Sequence, residues 1–256
     1  MIIRFLGTHN KASVDKRLVS FVIDDVLVVD AGNIVSDLSF AEQRRIRAIL
    51  LSHGHYDHIR DIPAFAFNNT DRTTRVFATP YTLEILSSHL TDGLIYPKFT
   101  EKFGYIDRKI LEFCPLELFT AQNVEGYEVT AVPVNHPLQA VGFEITSPQG
   151  KRVFYTGDTG PGFSSAWQHV RPDHLIAEMT FPNRLGEEAR ASGHLCLEML
   201  KQELLELRKI RGYLPPTYLV HLSPEFEKDI REEAGILSRE LNIAIRALGE
   251  GEKLSI

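Results

Sequence analysis

The run His53-Gly54-His55-Tyr56-Asp57-His58 stands directly after the apolar residues 49–51. Side chains two apart in extended backbone point the same way, so His53 and His55 can grip one cation. Asp57 and His58, where the backbone turns toward a following helix, can address a second. Imidazole and carboxylate donors suit zinc, iron and manganese. A loop of this kind asks for a fold whose strand ends gather in one place.

Further candidates stand in the same context. His136 follows the apolar run 129–134, Asp158 follows 153–155 within Thr156-Gly157-Asp158-Thr159-Gly160, and His221 follows Leu219 and Val220. Each lies at the C-terminal end of an apolar run, so one edge of a sheet sandwich would collect them. A carboxylate such as Asp158 can bridge two metals, while each histidine serves one. These ligands exceed what one tetrahedral site uses, which implies two divalent ions, zinc first and manganese or iron as alternatives. His9, His89, His169 and His174 lack this context and read as surface or capping residues.

Short β-rich runs recur at 2–6, 21–23, 26–29, 49–51, 129–134, 141–145, 153–155, 175–177, 218–220 and 243–247. Helical periodicity is clearest at 195–207 and 224–241, where apolar residues return at three- and four-residue intervals. Asp24-Asp25 and Pro148-Gln149-Gly150 have the chemistry of tight hairpins. The expected class is α/β, with sheets inside and helices outside. With 256 residues and no composition break to mark a linker, residues 1–256 are expected to form one domain. The aromatic-rich stretch 91–104 has no clean period and reads as a surface excursion or lid.

A balance of 28 basic to 34 acidic residues gives a net charge of -6, which disfavours a large nucleic-acid ligand. Cys114 and Cys196 stand in no metal or redox spacing and read as buried small hydrophobes. No leader pattern and no membrane-length apolar stretch is visible, so a cytoplasmic location is expected.

The ligand set resembles the metallo-β-lactamase superfamily, whose members share a four-layer αββα sandwich and a His-x-His-x-Asp-His metal loop. The resemblance assigns His53, His55 and His136 to one metal and Asp57, His58 and His221 to the other, with Asp158 between them. Asp30 matches an acidic residue that supports the metal loop, and Phe5-Leu6-Gly7-Thr8 is a typical opening. Glu at position 55 would mark a diiron flavoprotein, and a β-lactamase usually lacks the bridging Asp158. The runs Glu178-Met179-Thr180-Phe181-Pro182-Asn183 and Ser192-Gly193-His194-Leu195 resemble the class II cyclic-nucleotide phosphodiesterases. A looser Glu and His pair occurs in the related tRNA 3'-end endonucleases. Asp61 stands where those families have glycine, a departure that argues against close packing beside the metal loop.

The resemblance implies a dimetal phosphodiesterase acting on a small 3',5'-cyclic nucleotide, with Asp57, His194 and Glu178 as its catalytic groups. His194, oriented by Glu178, would act as general acid. Gly157 and Gly160 would let backbone approach the anion, and Tyr96, Phe99 or Phe103 would stack on the base. A tRNA 3' endonuclease is the alternative, but no basic arm is visible. An ester or thioester hydrolase comes next, and a non-catalytic metal-binding protein last. Members of the resembled family often form homodimers, and the sequence itself leaves the oligomeric state open.

Overall fold

The computed structural model describes residues 1–102 and 104–256, so the expectation for Phe103 lies outside the described residues. In the first sheet β1 (Ile2–Gly7), β2 (Ser20–Ile23), β3 (Leu27–Val29), β4 (Ala48–Leu50), β5 (Thr74–Ala78) and β6 (Leu111–Pro115) lie side by side in that order. In the second sheet the order is β7 (Ala121–Val124), β8 (Tyr127–Pro133), β9 (Val141–Thr146), β10 (Arg152–Tyr155), β11 (His174–Glu178), β12 (Thr217–Val220) and β13 (Ile245–Ala247). A last strand, β14 (Lys253–Ser255), closes the first sheet outside β1. Strands β3 to β6 run parallel, as do β10 to β13.

Period-two alternation divides the apolar residues into layers. Leu27, Val29 and Leu50 face inward with Val129, Phe143, Val153 and Tyr155 of the other sheet. Val28, Ile49 and Val76 face outward, under Ile62, Phe65 and Leu83. On the opposite side Phe154, Leu175 and Leu219 lie under the helices Leu197–Arg211 and Glu227–Leu241. The longer helices bury one stripe each: Leu197, Leu200, Leu204 and Leu207 in the first, Ile230, Ala234 and Leu237 in the second. This is the expected αββα sandwich. Asp24 and Asp25, with φ of 47° and 60°, form the β2–β3 hairpin, and Gly150, with φ of 79°, the β9–β10 hairpin.

Four strands escape the sequence pattern. Charged Arg75 interrupts β5, while β6, β7 and β14 are short and largely exposed, so none shows a clean apolar run. The excursion is docked over part of its length. Phe99 is fully buried in the outer core, and its carbonyl accepts from Ile110 and Leu111. It cannot stack on a substrate base, which corrects that expectation. Cys196 is buried as expected, whereas Cys114 is only half-buried. No helix among the described residues is long and apolar enough to cross a membrane.

Candidate metal centre

Strand ends aim the polar residues at one rim. Asp30 follows β3, His53 follows β4, His136 follows β8, Asp158 follows β10, Glu178 ends β11 and His221 follows β12. His55 starts the one-turn helix Tyr56–Ile59, which swings Asp57 and His58 away from the extended pair His53 and His55. Asp30 and His221 adopt φ of 53° and 59°, left-handed values that cost non-glycine residues roughly 1–3 kcal/mol. Asp30 is held there by the Ser52 amide, the Ser52 and Tyr155 hydroxyls and His58 Nδ1, all at 2.7–2.8 Å. It therefore supports His58 from behind.

Two clusters form at the rim. Ligand atoms of His53, His55, His136 and Asp158 lie within 4.8 Å of one another, as do those of Asp57, His58, Asp158 and His221. Asp158 is common to both and is 1% exposed. Its Oδ2 lies 3.8 Å from His53 Nε2 and 3.2 Å from His221 Nε2. The seven ligand candidates thus converge.

Their hydrogen bonding suits cations. The Ser52 hydroxyl donates to Asp30, so its oxygen accepts from His53 Nδ1 at 3.1 Å and leaves His53 Nε2 bare. His136 Nδ1 donates to the Gly193 carbonyl at 3.0 Å and leaves its own Nε2 bare. Both bare nitrogens lie 3.1 Å from His55 Nδ1, which carries at most one proton. In the second cluster His58 Nε2 and Asp158 Oδ1 face each other at 3.3 Å, buried and without a hydrogen bond among the described residues. Buried polar atoms left in this way mark a missing partner, and histidines fixed through their other nitrogen are typical metal donors.

Charge follows the same plan. Burial, reinforced by His58, pushes His53 well below its ordinary 6.5 and keeps it neutral, the form that binds metal. Burial would raise Asp158, but His221 and His58 hold it well below the usual carboxylate range. Asp57 is lowered in the same way by His58 and His221. Burial also opposes a charge on His58, yet Asp158, Asp30 and Asp57 together raise it well above 6.5. A cation would find a carboxylate-rich seat there.

Beside the second cluster, His194 Nδ1 lies 2.8 Å from Glu178 Oε1. Glu178, His194 and His221 also approach within 4.8 Å of one another. Glu178 is nonetheless a poor ligand, because its Oε1 also accepts from Leu195 and Thr159 amides and its Oε2 from the Thr180 amide and hydroxyl. Burial lowers His194, but the Glu178 carboxylate overrides this and lifts it to about 9. That direction favours the protonated ring, and its Nε2 makes no hydrogen bond among the described residues.

Three residues carry roles that the sequence misassigned or passed over. His9 is fully buried, its Nδ1 2.6 Å from Glu250 and its Nε2 3.1 Å from Glu227, and its backbone pairs with Leu222 beside His221. Partners at positions 227 and 250 have no local signature, which is why a surface reading fails. Asp61 packs closely after all: one carboxylate oxygen accepts from the amides of Ile34 and Val35 at 2.6 and 2.9 Å. Thr180 joins His221 to Glu178, and its only sequence signal is its place in the Glu178–Asn183 run. The glycines flanking Asp158 serve packing: a Cβ at Gly157 would meet Val141 O at 2.8 Å, and one at Gly160 would meet Gly193 Cα at 3.2 Å.

A four-layer sandwich with this rim defines a metal-dependent hydrolase of the metallo-β-lactamase fold. The chain belongs to the beta-lactamase superfamily domain family, which matches residues 27–221. It is 26% identical over 189 residues to ribonuclease J 1 of Streptococcus pyogenes, covering 68% of this chain and 29% of that protein. The match thus spans less than a third of that relative's length. Among solved structures, unliganded yeast PDE1 superposes with a TM-score of 0.84 at 16% identity, covering 100% of this chain and 99% of that one. The short form of human tRNase Z superposes with a TM-score of 0.68 at 16% identity, covering 100% and 99%. At these identities the structural matches establish the fold.

Proposed function

We propose that this chain is a two-metal phosphodiesterase that opens 3',5'-cyclic nucleotides. The observation that carries the reading is the 2.8 Å pair of His194 and Glu178, placed beside two donor clusters that share Asp158. The net charge of -6, which disfavours a large polyanionic ligand, supports the small-substrate form of it.

His53, His55, His136 and Asp158 would hold one divalent cation, and Asp57, His58, His221 and Asp158 the other. Zinc suits these donors first, with manganese or iron as alternatives. When bound, the cations supply Lewis acidity toward a phosphoryl oxygen and acidify water. Asp158 fixes the spacing of the two clusters, and Asp57 orients the second from the turn of its helix. As a hydroxide oxygen bonds to phosphorus and the P–O3' bond breaks, His194 gives its Nε2 proton to the departing 3' oxygen, and Glu178 stabilises the charged imidazole until that transfer. The buried ring of Asp30, Ser52 and Tyr155 keeps His58 from rotating.

Cleavage of RNA is the second reading, favoured by the likeness to ribonuclease J 1 and to the fold of tRNase Z. One preparation, loaded with zinc or manganese, separates the two when assayed on cyclic AMP, cyclic GMP and a precursor tRNA. Turnover of the cyclic nucleotides with negligible tRNA cleavage is expected. Efficient tRNA cleavage without cyclic-nucleotide turnover overturns the first reading.

A further inference from the structure

A phosphodiester seated between the two clusters must have its organic part recognised beyond them. On the His221 side the rings continue outward. His194 stacks on His221 with centroids 5.2 Å apart at 22°, and Phe181 lies 6.3 Å beyond His194. Phe226 stands 6.1 Å behind Phe181, at 36°. The guanidinium of Arg184 covers Phe226 at 5.2 Å and is itself held by Asp229 at 3.0 Å.

The two phenylalanines are half-buried. Their inner sides pack against the core beneath the second sheet, and the remainder is open to solvent. Their positions are tied to the metal centre through the backbone. Phe181 adjoins Thr180, which binds His221, and Phe226 ends the short turn Pro224–Phe226 that follows His221. A wall built on such anchors stays at a fixed distance from the candidate ligands.

Resting on the phosphodiesterase reading, we infer that Phe181, buttressed by Phe226 and Arg184, is the stacking wall for a planar base carried by the phosphate ester. Aromatic rings stack on any nucleobase, because every base has a π-face. The wall therefore selects for a base without choosing among bases. It takes the role expected of Phe99, which has no exposed surface.

The test is calorimetric binding of AMP and of ribose 5-phosphate to the metal-loaded protein. Both probes carry the same phosphate monoester, and only AMP carries a base. The wild type should bind AMP about tenfold more tightly. Phe181→Leu, which keeps apolar packing and removes the flat ring, should bring AMP to within about twofold of ribose 5-phosphate, whose affinity stays unchanged. Phe226→Leu should lie between. Equal binding of both probes by the wild type overturns the inference, as does an equal loss of both in Phe181→Leu. Because binding is read without turnover, a retained AMP preference in a protein inactive on cyclic nucleotides would uphold the wall and remove the cyclic-nucleotide reading.

Discussion

Glu178 reaches His221 through one atom, the Thr180 hydroxyl, 3.1 Å from the glutamate's Oε2 and 2.8 Å from the histidine's Nδ1. The hydroxyl donates to the carboxylate and accepts from the ring, so the His221 proton stays on Nδ1 and Nε2 is left to face Asp57 and Asp158. The same glutamate holds His194. One buried carboxylate thus sets the ring orientation of a candidate ligand and of a candidate acid.

Thr180→Val keeps the shape of the side chain and removes the hydroxyl's hydrogen bonds to Glu178 and His221. Metal affinity should fall by about 10–100-fold, the usual effect of losing such a support. A chelator competition at fixed pH measures it. An unchanged dissociation constant would show that His221 is oriented without this hydroxyl.

Asp158→Ala takes a donor from both clusters at once. Elemental analysis of protein purified without chelator should show two metal ions per chain in the wild type and at most one in the variant. Retention of two ions with full activity would place Asp158 outside the metal centre.

His194→Ala should keep its metal and lose turnover by roughly two to four orders of magnitude, the scale of a lost general acid. Glu178→Gln removes the charge that lifts His194 to about 9. An acid works while protonated, so the rate should fall as pH rises through the His194 pKa, and that fall should move to lower pH in the Glu178→Gln variant. A pH–rate profile with an unmoved alkaline limb would refute the pairing.

Glu227 links acid stability to the His9 clamp. Burial would raise it, but Lys16, Arg231 and His9 lower it from 4.5 to about 2. Its contribution is therefore complete above about pH 4.5 and is lost as pH falls toward 2. Glu227→Gln should be less stable than the wild type near neutrality and lose less between pH 5 and 3. Urea unfolding at several pH values reads the difference. Parallel curves for the two proteins would show that Glu227 has the same pKa in the folded and unfolded chain.

Asp61→Gly leaves the Ile34 and Val35 amides without their carboxylate. Hydrogen bonds to a charged group are worth about 1.5–3 kcal/mol, and a loss near that size is expected in denaturant unfolding. An equally stable variant would make Asp61 a passive occupant.

The candidate ligands were legible because each stands at the end of an apolar run, and strand ends are where a sheet holds polar groups steady. Periodicity also gave the layers, as Val28 between Leu27 and Val29 illustrates. It could not give β6 or β14, whose exposed residues pair through backbone alone. Nor could it give His9, whose two carboxylate partners lie more than 200 positions away. Phe99 misled for the opposite reason: an aromatic in an unpatterned stretch looks available for binding, yet it is the anchor of that stretch.

The metal loop follows β4 in the first sheet, whereas His136, Asp158 and His221 follow strands of the second. During synthesis a growing chain has His53, His55, Asp57 and His58 in hand a hundred residues before Asp158, and longer still before His221. Until then the early loop can offer a passing cation only part of a coordination shell. On the two-metal reading, tight capture awaits the docking of one sheet on the other, so loading with metal would report that the two halves have met.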